Sequence, residues 1–540
     1  MAGACHDDAG MTLMNISSDV VRLYRSVHTW VGITSGLLLF IGFFAGALTM
    51  FKQPLAGWAL PLTQQLELVP EHQRDTLIQA VLQQYPQARS AFTLYVQPAD
   101  HVPASLVWYQ QPVDGHDLAL QEPLSRATLD AQGQLQVSHE PASQLAGLID
   151  LLHRTGGIPG EWGHEQIGIY LMGGAGLLYG LALISGLIIV LPSLVKDFLI
   201  LRQGNNRKRF WLDAHNLVGI TSLPFHLVIA LTVVVFAFHD PFYSSLREVV
   251  YGSQPLFQPL VKTIPQTHEL SALQPVSVLL ERIQQQAPGF TVTQLEYWNL
   301  DTPRAAVRAA VVSPEHLSRG AQSGFVLLNP FTADITNTSA LPGQEDFWSA
   351  VVATFFALHF GSFGGDGVRW IYFLMGLGGA FLFYTGNLLW VQSRRRKHKD
   401  DRRSVRILED LTTGVCLGTI AGVAVAMVGA RWLGLWITDI NGSIVWLYYA
   451  TFVGWVVWAC WRGTTRAAPP MLMTTAWLVL AIPSASGVAA LMPASGLWLN
   501  TSMASLMVDI SAAVMGLLLL WFASRRSGRQ QRRANGNTPG

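Results

Sequence analysis

His28-Thr29-Trp30-Val31-Gly32-Ile33-Thr34-Ser35 and His215-Asn216-Leu217-Val218-Gly219-Ile220-Thr221-Ser222 agree at six of eight positions. Each octet opens a long apolar run. Apolar composition alone does not produce so many matches at one offset, so the two runs read as copies of one element. A second pair of signatures follows. Leu152-His153-Arg154-Thr155-Gly156-Gly157 precedes the next apolar run of the first copy, and Leu358-His359 with Gly361, Gly364 and Gly365 precedes that of the second. One unit (helix, polar stretch, Leu-His-Gly segment, helix) therefore occurs twice, over residues 1–200 and 201–400.

Outward from these signatures, the chain reads as a membrane protein. Half of its 540 residues are apolar and 13% are charged, poor proportions for a soluble chain of this length. Eight runs, near 28–51, 166–191, 212–238, 370–391, 411–435, 443–461, 471–491 and 503–522, are long enough to span a bilayer. The first is too long for a signal-peptide core and reads as an uncleaved anchor. Basic residues flank one side only: Arg22 and Arg25, then Lys196 to Arg209, Arg394 to Lys397, Arg462 with Arg466, and Arg525 with Arg526. The positive-inside rule then places both termini in the cytoplasm.

The polar stretches 52–165 and 240–369 fall outside, each with the pattern of a small α+β module. Helices are expected near Glu71–Gln84 and Val276–Gln286. Strands are expected near Ala91–Val96, Ser105–Tyr109, Ala127–Val137 (a hairpin turning at Gln132-Gly133), Thr291–Trp298, Ala305–Val312 and Gly324–Leu328. Residues 401–540 add four spans without such histidines, an appended helical domain with a basic tail. The net charge of +1 points to no nucleic-acid partner, and Cys5, Cys416 and Cys460 lie too far apart for a zinc or disulfide framework.

The histidines carry the chemistry. His28 and His215 open helices that run the same way, so a twofold axis along the membrane normal brings them face to face. Two neutral imidazoles across a helical bundle suit the axial positions of a haem iron. Gly32 and Gly219, one turn on, leave room for a flat macrocycle. Gly36, Gly42 and Gly46 serve that purpose or helix packing, and packing is the reading for Gly173, Gly174 and Gly176. His153 and His359 form a second symmetric pair at the outer surface, ending helices over 141–155 and 346–360. His226 lies 11 residues after His215 on nearly the same face and ligates the outer group if the segment of His153 or His359 dips inward. His164 is a further metal-ligand candidate, and His239 faces elsewhere. Hydrogen bonding between helices, or a proton path, is the competing use of such histidines.

These motifs resemble the PepSY-associated transmembrane family over residues 20–398. The matching elements are His28-x-x-Val31-Gly32, Leu152-His153-Arg154, Asp213-x-His215 with Leu223-Pro224-Phe225-His226, and Leu358-His359 before Phe363-Gly364-Gly365. Within that family the chain is similar to the FoxB-type di-haem reductases of the bacterial inner membrane, which reduce ferric siderophores in the periplasm. The resemblance implies two b-type haems with histidine ligands, a ferric siderophore as acceptor, and two periplasmic modules. No flavin or nicotinamide fold is legible, so the electron donor is external, a quinol or a cytoplasmic reductase. No catalytic residue is assigned. The alternatives are a transporter built on the duplicated bundle, or a ligand-sensing membrane protein without redox activity.

Overall fold

The computed structural model describes residues 17–534 apart from 63–64, 100, 111–119, 121–123, 140–141, 163–164, 194–199, 203–205, 251, 253–267, 317–322 and 398–401. His164 lies outside the described residues.

In the first half, α1 (Ser18–Thr49) starts at Ser17, whose hydroxyl accepts the Val20 N–H at 3.4 Å. After it come α2 (Lys52–Ala59), α3 (Arg74–Gln84), β1 (Ala91–Tyr95), β2 (Leu106–Tyr109), β3 (Leu124–Leu129) and β4 (Leu135–Ser138). Helix α4 (Leu145–Thr155), a two-stranded ribbon of β5 (Glu161–Trp162) and β6 (Glu165–Gln166), and α5 (Ile167–Val190) complete it. The second half repeats the order: α6 (Arg207–Thr221), α7 (Leu223–Val249), α8 (Val276–Gln286), β7 (Thr291–Trp298), β8 (Ala306–Val312), β9 (Gly324–Leu328), β10 (Ile335–Asn337), α9 (Phe347–Phe360) and α10 (Gly365–Lys397). Helices α11 (Arg402–Trp432), α12 (Ile440–Arg462), α13 (Thr464–Leu491) and α14 (Met503–Ala534) follow.

Eight helices among the described residues are long and apolar enough to cross a membrane, so the chain is a multi-pass membrane protein. The third expected run, 212–238, is not one helix. Pro224 has no N–H to continue the ladder, and the chain breaks between α6 and α7 at Ser222, whose hydroxyl turns back to the Val218 carbonyl at 2.5 Å.

The two polar modules form as expected and share one sheet. Its order is β10-β9-β8-β7-β1-β2-β3-β4, so each half contributes four strands and the halves meet edge to edge through β1 and β7. That pairing is antiparallel, with Thr93 opposite Glu296 and Leu94 opposite Leu295. Pairing the two first strands removes an edge that each half would otherwise expose. Helices α3 and α8 supply Leu77, Val81, Leu279 and Ile283 to one core with Leu94 and Leu295. Asp75 of the first half caps α8 of the second, accepting the Val276 N–H at 2.8 Å. Burial pushes the Tyr95 hydroxyl up to about 12, with Glu296 across the junction adding to it.

The C-terminal helices pack on the first repeat. Helix α11 lies against α1, α2, α4 and α10. Asn441 at the start of α12 accepts the Gln144 N–H at 2.8 Å and donates to the Ala142 carbonyl at 3.2 Å, while Tyr449 donates to the Gly157 carbonyl at 3.1 Å. Both ends of α4 are thereby tied to α12. In the second repeat α9 has no such cover among the described residues, and its first turn leaves Phe347 and Trp348 exposed.

Leu94 and Leu295 are both fully buried at the junction of the halves. Leu94→Ala is expected to cost about 2–5 kcal/mol through the cavity it leaves. Hydrogen exchange should then rise together at β1 and β7, while amides of the membrane helices stay protected.

Candidate functional site

The octets that opened the sequence place His28 and His215 on α1 and α6, and the bundle brings them together. Their ring centroids are 6.3 Å apart with planes at 83°. His153 and His359, at the ends of α4 and α9, stand 6.0 Å apart with planes at 36°. Gly156 and Gly361 cap these two helices in the left-handed region, at φ +62° and +61°. The same cap at both positions turns the chain sharply out of each helix.

The second pair is not at the outer surface. His153 Nδ1 donates to the Gly42 carbonyl at 2.8 Å, well inside α1, and His359 is buried. Helices α4 and α9 therefore dip into the bundle. Gly42 is 14 residues beyond His28, which separates the two pairs by ~21 Å along α1.

Hydrogen bonding engages Nδ1 of all four rings. The His28 Nδ1–H donates to the Ala182 carbonyl at 2.8 Å, with the Ser185 hydroxyl at 3.4 Å. His215 Nδ1 meets the Thr385 hydroxyl at 2.9 Å, and His359 Nδ1 meets the Thr232 hydroxyl at 2.8 Å. Each threonine hydroxyl also lies within hydrogen-bond reach of a carbonyl one turn back, Phe381 or Val228, so it is free to accept from the ring. A carbonyl cannot donate. At His28 and His153 the proton therefore sits on Nδ1 and Nε2 keeps its lone pair, and the threonine contacts of His215 and His359 are compatible with the same tautomer. Metal-bound histidines show this arrangement, the outer nitrogen fixed by a backbone or hydroxyl acceptor.

Glycines shape the surroundings. A Cβ at Gly46 would stand 2.7 Å from His153 Nδ1, and one at Gly186 would stand 3.0 Å from His28 Cε1. Gly386, opposite His215, repeats Gly186 at 3.7 Å. Gly32 and Gly219 differ. A Cβ at Gly32 meets no atom within 4 Å, and at Gly219 it meets Leu382 Cδ2 at 3.8 Å. No protein neighbour demands glycine there, and a flat group beside the histidines has room. Gly173 and Gly176 serve packing, facing Ala237 and Val233 across the α5–α7 contact.

His226 joins neither pair. It is fully buried, with ring neighbours Phe225, Phe43 and Tyr179 at 5.2, 5.7 and 5.9 Å, and neither nitrogen has a hydrogen-bond partner among the described residues. His239 turns elsewhere and lies beside Asp240 at 3.1 Å.

Sequence reasoning missed Ser185, Thr385 and Thr232. A signal for two of them existed: Ser185-Gly186 and Thr385-Gly386 stand at one offset in the second and fourth spans. Both hydroxyls bond the same two carbonyl positions of their own helices, Leu181 and Ala182 in one and Phe381 and Leu382 in the other.

Among the described residues no group of three or more His, Cys, Asp or Glu side chains could hold a bare metal ion. Two imidazoles on one iron, each nitrogen ~2 Å from the metal, place their ring centroids ~6 Å apart. The spacing of both pairs, and at the first pair the room beside Gly32 and Gly219, fit residues that would hold a haem.

An uncharacterized protein of Pseudomonas aeruginosa is 29% identical over 236 residues, a stretch covering 41% of this chain and 57% of that protein. The chain thus spans little more than half the length of that relative. The PepSY-associated TM region family matches residues 25–393, which hold both octets, both Leu-His-Gly segments and the shared sheet. With more than half of its length in that match, the chain belongs to the PepSY-associated transmembrane family.

Proposed function

We propose that this protein is a haem-dependent electron-transfer protein of the bacterial inner membrane that reduces ferric siderophores in the periplasm. The observation that carries the reading is the duplicated histidine pair: two sets of facing imidazoles, ~21 Å apart along α1, every one with Nδ1 bonded and Nε2 free.

Haem b, when bound, supplies one-electron exchange between ferric and ferrous iron. His28 with His215 would hold one group and His153 with His359 the other. Ala182 and Gly42 keep their rings in the tautomer that leaves Nε2 to the metal, and the contacts of Thr385 and Thr232 are compatible with it. Held by two imidazoles, each group would serve electron transfer rather than oxygen activation. Two sites spaced along the bundle, one near its basic face and one deeper toward the sheet-bearing face, suit transfer from one side to the other. Reduction at the sheet-bearing face would release siderophore iron, because hard oxygen ligands hold the ferrous ion less firmly. The basic flanks at the opposite face, Arg22, Arg25, Lys208, Arg394, Arg395 and Arg462 among them, support a cytoplasmic position for that face. The electron donor is external.

Purified protein, expressed with adequate haem supply, should be red, with a Soret band that moves on dithionite reduction. Colourless protein would overturn the reading. A pyridine haemochrome assay should give two haems per chain, and His215→Ala or His359→Ala should each lower this to one.

Thr385→Val removes the acceptor for His215 Nδ1 and is expected to weaken retention of the haem at that pair about 10–100-fold. Gly46→Ala presses a methyl into the His153 ring and should reduce haem at the other pair. The two variants should therefore lose different halves of the haem spectrum. Loss of the same half in both would break the pairing.

A further inference from the structure

A half-open, almost wholly apolar cleft of about 80 Å³ lies between the duplicated bundle and the C-terminal helices. Phe44 and Phe51, Trp370 from α10, Met427 from α11, and Met507 and Met515 from α14 are among its lining residues. Phe44 and Leu48 face this cleft, while Gly42 and Gly46 on the other side of α1 face His153. One helix width, ~10 Å, thus separates the cleft from the second histidine pair.

One helical turn nearer the sheet-bearing face, the same elements carry a polar cluster. Arg431 is four residues beyond Met427, Ser486 four beyond Ile482, and Trp58 three beyond Leu55. The Arg431 guanidinium is held between the Trp58 and Trp498 rings at 4.8 and 4.7 Å and donates through Nη1 to Ser486 at 2.8 Å. Trp58 donates to Asp509 at 2.9 Å. Arg431 Nε, Arg431 Nη2 and the Ser505 hydroxyl are buried without a hydrogen-bond partner among the described residues, and both residues are 1% exposed.

Buried donors without acceptors are costly, so the cluster calls for an acceptor group. Arg431 and Asp509 cancel in formal charge, which favours a neutral carbonyl over a phosphate. The polar cluster lies one turn beyond the cleft wall rather than on it, and a neutral acceptor joined to an apolar body that suits aromatic and methionine side chains describes one class of membrane molecule. We propose that this cleft binds a membrane quinone. A ring carbonyl lies against Arg431, and the isoprenoid tail runs along Met427, Met507 and Met515. Its purpose rests on the electron-transfer reading, which needs an external donor; its existence does not.

The test is titration of the purified full-length protein in detergent with decylubiquinone, followed by quenching of tryptophan fluorescence. Saturable binding is expected, weakened at least tenfold by Arg431→Gln and by the cleft-filling Ala424→Trp, with circular dichroism unchanged. If Arg431→Gln does not fold, Ala424→Trp carries the comparison. Absent binding, equal binding in wild type and Ala424→Trp, or displacement of the quinone by equimolar phosphatidylglycerol would each overturn the proposal. Haem absorbance is read on the same samples. Colourless protein that binds decylubiquinone in this way upholds the cleft and ends the electron-transfer reading, whereas red protein that does not bind it ends the cleft alone.

Discussion

A neutral imidazole inside an apolar helix bundle is costly to bury unless its N–H finds an acceptor, because little water is there to take its place. Four of the histidines in this protein find such a partner in one way, through Nδ1 to a carbonyl or to a threonine hydroxyl. Much of the bundle geometry follows from it. Helix α5 must present Ala182 to α1, α10 must present Thr385 to α6, and the dipping helices α4 and α9 must bring their last turns against α1 and α7. Small residues at Gly46, Gly186 and Gly386 let those rings approach their neighbours. The same bonds that hold the helices in register leave each Nε2 available.

Duplication supplies the symmetry, and the chain then departs from it in specific places. The two halves share one sheet through β1 and β7, so neither polar module is independent of the other. The C-terminal helices cover α4 through Asn441 and Tyr449 and leave α9 with exposed aromatic residues. His226 has Leu39 at the matching position of the first repeat, and its two nitrogens, beside Phe43, Tyr179 and Phe225, are unpartnered among the described residues. The bundle thus combines two symmetric histidine pairs with an asymmetric middle and an asymmetric flank. The cleft beside Met427 arises on that flank, where the added helices meet the first repeat.

Much of this was legible in the residues. Span positions, the α+β order of the modules and the pairing of His28 with His215 follow from apolar run length, strand alternation and a repeated octet, all local signals. The depth of the second pair was not legible. Nothing in the 141–155 segment says that α4 turns into the bundle, because an amphipathic helix with a glycine end reads the same at a surface. The break at Ser222 was hidden by an apolar run that continues through Pro224. The roles of Ser185 and Thr385 were hidden because a hydroxyl one turn from a carbonyl bonds its own helix whether or not a ring lies beside it.

By itself the sequence determined a duplicated membrane protein with paired histidines, since hydrophobic length, charge bias and internal repetition are written along the chain. Tertiary structure alone decided which imidazoles meet, where their protons sit, and that two modules close into one sheet. These depend on contacts between residues more than a hundred positions apart, such as Gly42 with His153 and Leu94 with Leu295. Pattern along the chain carries no record of distances of that kind. They are settled only when the helices pack and each buried polar group finds its partner.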